Sequence, residues 1–291
     1  MAATVKEQEA APGHLETPSA GLAQVKAIVA FASAKGGTGK STIVANFAAA
    51  LALKGRKIGV VDADLDSPSV PPMLGLPRVR LTRSQGSFEP ASGPFGIRIV
   101  AGDPAASQAP AVFALDELIE AGSGVADQPE QFSSAEDLIA QTRFGALDLL
   151  LIDLPAGFRH AVRLAQSVER TAVVIVLPSS ASGAAAVRQA LEPNRRKGLR
   201  MLGLIENMTG FYCGNCHSVR PLLPAPDIGA LARDFDLPIL GRFPFDPRLA
   251  ESCDSGRAFV KEYPDLPLSK LMNEAAHNLL VAALAPPPAQ T

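Results

Sequence analysis

From residue 25 onward, apolar and polar positions follow two alternating rhythms. Short unbroken apolar runs, such as Ala27-Ile28-Val29-Ala30-Phe31 and Leu149-Leu150-Leu151-Ile152, are bounded by polar or turn-forming residues. Runs of this length read as strands buried on both faces. Candidate strands cover 26–32, 57–62, 97–101, 147–153, 171–177, 200–206 and 239–243. Between them lie stretches with helical spacing, including an Ala-rich segment at 43–53. Strands that alternate with helices predict a mainly parallel sheet with helices on both faces, a doubly wound α/β fold.

The rhythm fails at both ends. Residues 1–24 are rich in Ala, Glu, Pro and Gly without periodicity and are expected to form a disordered tail. A single domain then spans 25–285, followed by a second short tail at 286–291 that opens on Pro286-Pro287-Pro288. Loops are expected at 77–95 and 121–133, where Gly, Ser, Pro and Gln accumulate. The last helix, 267–284, places Leu268, Leu271, Met272, Ala275, Leu279 and Ala283 on one face. Its only basic residue before the final turn is Lys270, so it reads as core-packing and not membrane-binding.

Composition narrows the setting. The chain has 291 residues, is 47% hydrophobic and carries a net charge of −2, a balance that argues against a protein coating nucleic acid. No apolar run approaches the roughly 20 residues of a membrane span. Glu7, Glu9 and Glu16 near the start fit neither a secretory signal nor a mitochondrial transit peptide. Three cysteines do not make a disulfide framework. The expected compartment is the cytoplasm.

Chemistry concentrates first in Ser33-Ala34-Lys35-Gly36-Gly37-Thr38-Gly39-Lys40-Ser41-Thr42, between a strand and a helix. This is the context of a phosphate-binding loop. Its glycines let successive backbone N–H groups turn inward, and the helix N-terminus adds partial positive charge. Lys40 is expected to reach the β- and γ-phosphates of ATP and Ser41 to sit on Mg²⁺. The earlier lysine, Lys35, makes the loop resemble that of the MinD/ParA/nitrogenase-iron-protein class. The resemblance implies that Lys35 reaches the nucleotide of a partner copy, a trans-acting cation like an arginine finger.

Carboxylates follow two of the strands. In Val61-Asp62-Ala63-Asp64-Leu65-Asp66, Asp64 is the candidate for orienting the attacking water. Asp62 supports it, and Asp66 is a helix cap or solvated. In Leu151-Ile152-Asp153-Leu154-Pro155-Ala156-Gly157, Asp153 is expected in the Mg²⁺ shell and the Gly157 N–H at the γ-phosphate. A further strand ends in Glu206-Asn207-Met208, where the Asn207 amide could pair with the adenine edge or simply make a turn.

Beyond it stands Tyr212-Cys213-Gly214-Asn215-Cys216-His217. Two thiolates two residues apart suit a soft metal centre. A redox pair would want a helix N-terminus, where Gly214, Asn215 and Pro221 suggest a loop. Haem attachment requires export. Zinc wants four ligands, and the chain offers Cys213, Cys216 and His217. An iron–sulfur cluster takes four thiolates, which one motif supplies twice over in a two-fold dimer.

Taken together, the loop at 35–42, the segment 62–75, Ile152-Asp153-Leu154-Pro155, Glu206-Asn207-Met208 with the cysteines, and the segment 240–256 resemble the Mrp/ApbC family of iron–sulfur carrier ATPases. The resemblance spans roughly 25–262. It implies a homodimer that bridges a [4Fe–4S] cluster through Cys213 and Cys216 of both chains. It further implies transfer of the cluster to apo iron–sulfur proteins, modulated by ATP. Where the family usually reads D-L-P-P-G-T-G-D, this chain has Asp153-Leu154-Pro155-Ala156-Gly157-Phe158-Arg159-His160. Gly214 replaces the usual proline between the cysteines, and the Arg-Gly-Pro segment is not evident around Phe113-Ala114-Leu115. The lack of an N-terminal cysteine cluster is expected to exclude the eukaryotic cytosolic subtype, and the extra N-terminal domain of some bacterial members is not expected either. Cys253 reads as a small buried helical residue. Two other readings use the same residues: a MinD/ParA-type positioning switch and a zinc or nickel metallochaperone.

Overall fold

In the computed structural model, residues 20–84, 86–102, 132, 134–194, 198–222, 224 and 226–286 are described. Seven strands form a continuous parallel array: β1 (Ile28–Ala32), β2 (Ile58–Asp62), β6 (Arg98–Ala101), β7 (Leu149–Asp153), β8 (Thr171–Pro178), β9 (Arg200–Tyr212) and β11 (Ile239–Phe245). Their spatial order is β11-β9-β8-β1-β7-β2-β6. These are the seven expected strands. Short antiparallel pieces extend the array, with β5 (Ala91–Ser92) on β6 and β10 (Val219–Arg220) on the tip of β9. A small hairpin of β3 (Thr82–Ser84) and β4 (Ser87–Glu89) stands apart.

Alternation along each strand sorts side chains onto two faces. From β1, Val29 and Phe31 enter one core, while Ile28, Ala30 and Ala32 enter the other. The first face is covered by α1 (Lys40–Ala52), α2 (Val70–Met73), α8 (Phe259–Glu262) and α9 (Pro267–Leu284). There Phe47 packs edge-on against both Phe31 and Phe243, at centroid distances of 6.0 and 6.1 Å. The opposite face is covered by α3 (Ala135–Ala140), α4 (Arg159–Ser167), α5 (Ala181–Leu191) and α6 (Ile228–Asp234). Among the described residues, the remaining α-helix, α7 (Pro247–Asp254), follows β11.

Three expectations change. The order begins before residue 25: Ala20–Leu22 forms a 3-10 turn with Leu22 buried, and Leu147 N–H donates to the Gln24 carbonyl. This apolar anchor shortens the tail expected over 1–24; residues 1–19 and 287–291 lie outside the described residues. The loop expected at 77–95 contains β3, β4 and β5, short pieces without the apolar runs that mark a buried strand. Of the loop expected at 121–133, only Phe132 is described; it packs edge-on against Phe88 at 5.1 Å. In α9, Leu271 is 40% exposed, while Ala276 and Leu280 join the buried face. The stripe is therefore rotated from the expected one. Phe113-Ala114-Leu115 also lie outside the described residues.

Candidate nucleotide site and cysteine hairpin

The phosphate loop leaves the carboxyl end of β1 and enters α1 at Lys40. Gly37 and Gly39 have φ of +72° and +81°, a backbone region costly for residues with a Cβ. Gly39 is doubly constrained, because a Cβ there would lie 2.3 Å from Asn207 Nδ2. The loop's first lysine, Lys35, is exposed, with Gly36 and Gly37 beside it. Thr38 is buried, and its carbonyl accepts a 2.9 Å hydrogen bond from Asn207 Nδ2. Asn207 thus turns an amide N–H to the loop, a contact foreseen by neither the adenine pair nor the turn that the sequence left open. The glycine permits the close approach, and the buried carbonyl captures the donor.

Lys40 Nζ meets Asp153 Oδ1 at 2.7 Å, with Asp153 only 2% exposed. The Ser41 side chain lies close enough to favour the charged form of the same carboxyl. The two residues expected at Mg²⁺ therefore converge. Burial pushes the Asp153 carboxyl above the usual range, and Lys40 and Ser41 pull it back. Asp62 lies beside it across the β2–β7 register. Its carboxylate accepts from the N–H groups of Asp64, Ser69 and Val70, which tie down the segment leading into α2. Burial first, and the Asp153 charge second, raise Asp62 to about 7 despite these bonds. Asp64 is half-buried and close enough to act electrostatically on both Asp153 and His160. Asp66 is exposed, and Ser69, not Asp66, stands at the cap of α2. The Gly157 N–H, expected at the γ-phosphate, donates to the Ser33 carbonyl at 2.9 Å.

The cysteines occupy the turn between β9 and β10. Cys213 N–H donates to Ser218 O at 2.9 Å and His217 N–H to Cys213 O at 2.8 Å, closing a tight hairpin. His217 takes φ +54°, and its Nδ1 is 2.9 Å from the Tyr212 hydroxyl. Cys213 is half-buried and Cys216 exposed, both as free thiols. Hydrogen bonding from Ser218 and from Cys213 lowers the Cys216 thiol to about 7, giving a ready thiolate. Among the described residues, no group of three or more His, Cys, Asp or Glu could hold a metal within one chain. Two adjacent thiols at a surface are therefore the whole donor set one hairpin offers.

The family model for the NUBPL iron-transfer P-loop NTPase, a ParA-type family, matches residues 24–280. The chain belongs to this family. Its relatives include the iron-sulfur cluster carrier protein of Saccharolobus solfataricus, 32% identical over 86% of this chain and 81% of that one. The cytosolic Fe-S cluster assembly factor NUBP2 of Bos taurus is also 32% identical, over 89% of this chain and 94% of its own. Among solved structures, a nucleotide-binding protein from Archaeoglobus fulgidus in complex with ADP is 28% identical, with a TM-score of 0.64 over 81% of this chain and 89% of its own. MinD of Pyrococcus horikoshii, at 24% identity and a TM-score of 0.57 over 89% of this chain and 98% of its own, shares the fold.

Cys253 lies in α7 of this NUBPL-type fold, 4% exposed, with its thiol raised to about 11 by burial. It receives Asn46 Nδ2 at 3.8 Å and takes no part in the hairpin. Sequence reasoning missed two supports. Glu206, buried behind Asn207, accepts from Ser179 Oγ at 2.7 Å and Arg242 Nε at 2.9 Å. Asn46, wholly buried in α1, bridges Thr42 O and the Val260 N–H. Each is a polar residue inside an apolar run, which is the one signal the sequence carries for such a bridge.

Proposed function

We propose that this NTPase binds and hydrolyses Mg-ATP and, as a homodimer, carries a [4Fe–4S] cluster as cargo for apo iron–sulfur proteins in the cytoplasm. The observation that carries the reading is the placement of two surface thiols at the end of β9, the strand whose Asn207 holds the phosphate loop. Fuel site and cargo site share one element. Each hairpin offers two thiolates and a cubane takes four, so a second copy completes the set. In such a pair Lys35 acts across the interface, Lys40 and the loop N–H groups of Gly36, Gly37, Thr38 and Gly39 hold the phosphates, Ser41 and Asp153 share Mg²⁺, and Asp64 orients water. The acidic residue usual after the Gly157 turn is replaced by His160, half-exposed and held below its ordinary pKa by burial and Arg159.

Anaerobic reconstitution with iron and sulfide, followed by absorption spectroscopy and metal counting, tests the reading. The expected result is about four irons per dimer, lost on replacing either hairpin cysteine by alanine. A full cluster on each monomer, or zinc alone after anaerobic purification, would sink the bridged-cargo reading.

A further inference from the structure

β10 pairs with the tip of β9 at only two positions, Tyr212 with Val219 and Phe211 with Arg220, a ribbon too short to hold the turn's geometry in water by itself. Something outside it must fix the thiols. The ends of β9 and β11 are paired, Phe211 opposite Phe245, which sets Asp246 and the start of α7 beside Tyr212. Asp246 is 2% exposed and binds Arg248 through two parallel bonds, Nε to Oδ1 at 3.0 Å and Nη2 to Oδ2 at 2.7 Å. It also accepts the Arg248 N–H. The guanidinium so anchored lies over two rings, 5.5 Å from the centroid of Tyr212 and 5.6 Å from that of Tyr263. Tyr212 immediately precedes Cys213, and its hydroxyl reaches His217 on the far side of the turn.

From these contacts we infer that Arg248 is the positioning residue of the cysteine hairpin. Fixed by the buried Asp246, it clamps Tyr212 between α7 and the sheet, and Tyr212 in turn pins both ends of the Cys213–His217 turn. A planar cation with a two-pronged carboxylate bond does this where lysine would not, since an ammonium offers neither the fork nor the flat face. A cation held over an aromatic ring attracts its face strongly enough to change the opening frequency of a turn about tenfold. The consequence for metal chemistry rests on the carrier reading; the clamp itself does not.

The test is amide hydrogen exchange by NMR on the full chain, comparing the wild type with R248A, R248K and Y212F. Exchange at the Cys213 and His217 amides should quicken about tenfold or more in R248A, a loss of about 1.4 kcal/mol of local protection. The amides of β9 around Leu204 should stay within about twofold. R248K should fall between the two. Y212F keeps the stacked ring and loses the hydroxyl's contacts with His217 and Arg248, so His217 should quicken more than Cys213 and both less than in R248A. Unchanged Cys213 and His217 exchange in R248A overturns the inference; should R248A not fold, the same result in R248K does so. Iron release from reconstituted protein to an iron chelator should accelerate in the same order. Equal release from wild type and R248A, despite faster exchange, overturns the positioning role. A wild type that never takes up iron sinks the carrier reading and leaves the exchange result standing.

Discussion

Replacing Lys40 by alanine should destabilise the protein itself, apart from any effect on nucleotide. The pair it forms with Asp153 is almost dry, with the two side chains 11% and 2% exposed, and Asp62 stands next to it. Removing one member of a buried ion pair costs about 3–5 kcal/mol, because the other charge is left without compensation. Asp153 can escape that cost by taking up a proton, and the sign of the pH dependence follows. Without Lys40 its folded-state pKa rises further above the ordinary 3.8, so the native state binds more protons than the unfolded state. Stability of K40A then falls as pH rises toward the raised pKa and is recovered as pH drops toward 4. Urea unfolding at about pH 8, 7, 6 and 5 reads this directly. The penalty should be several kcal/mol at about pH 8 and shrink by up to about 1.4 kcal/mol per unit once Asp153 protonates. The wild type must be measured alongside, since Asp62 at about 7 already makes it lose stability as pH rises from about 4 to 7. K40A/D153N should regain more than half of the loss. A penalty below about 1 kcal/mol at pH 8, or one that does not change with pH, would refute the argument.

Gly39→Ala should abolish ATP binding in calorimetry, since a Cβ would meet Asn207 Nδ2 at 2.3 Å on a backbone at φ +81°; micromolar affinity retained with the fold intact would discount the contact. Lys35→Ala should keep nucleotide binding and lose most hydrolysis, and mixing it with Asp64→Ala should restore part of the activity in heterodimers; no rescue places Lys35 in cis. Cys253→Ala should retain wild-type iron content at a stability cost of about 1 kcal/mol for the small cavity, read by urea titration. Loss of iron would give Cys253 a part in the cargo site.

The parallel strands were legible because each is a run of apolar residues closed by a polar one, and burial on both faces leaves no alternation to confuse the reading. Short antiparallel pieces such as β5 and β10 were invisible, since two-residue pairings are dictated by neighbours and not by their own side chains. The phosphate loop, Asp153 and the cysteines announced themselves through spacing. What they touch did not: Asn207 bonds a carbonyl 169 positions away, and Asn46 joins helices 214 positions apart. Leu271 shows the same limit on a smaller scale, because a helical stripe read from periodicity alone has no way to know which neighbour it will meet.

Between Asn207 and Cys213 lie six steps of β9, bent at Met208, whose φ is +58°, and out of register with β11 between Phe243 and Phe245. At about 3.3 Å per residue the thiols stand at most about 20 Å from the amide that grips the phosphate loop. In the proposed pair, each protomer is then a short arm with fuel at its pivot and cargo at its tip. A rocking of about 10° at the pivot sweeps the tip through about 3.5 Å over that length, more than an iron–sulfur bond. Grip on the cubane then depends on how two bodies lean together as well as on how each turn holds its thiols.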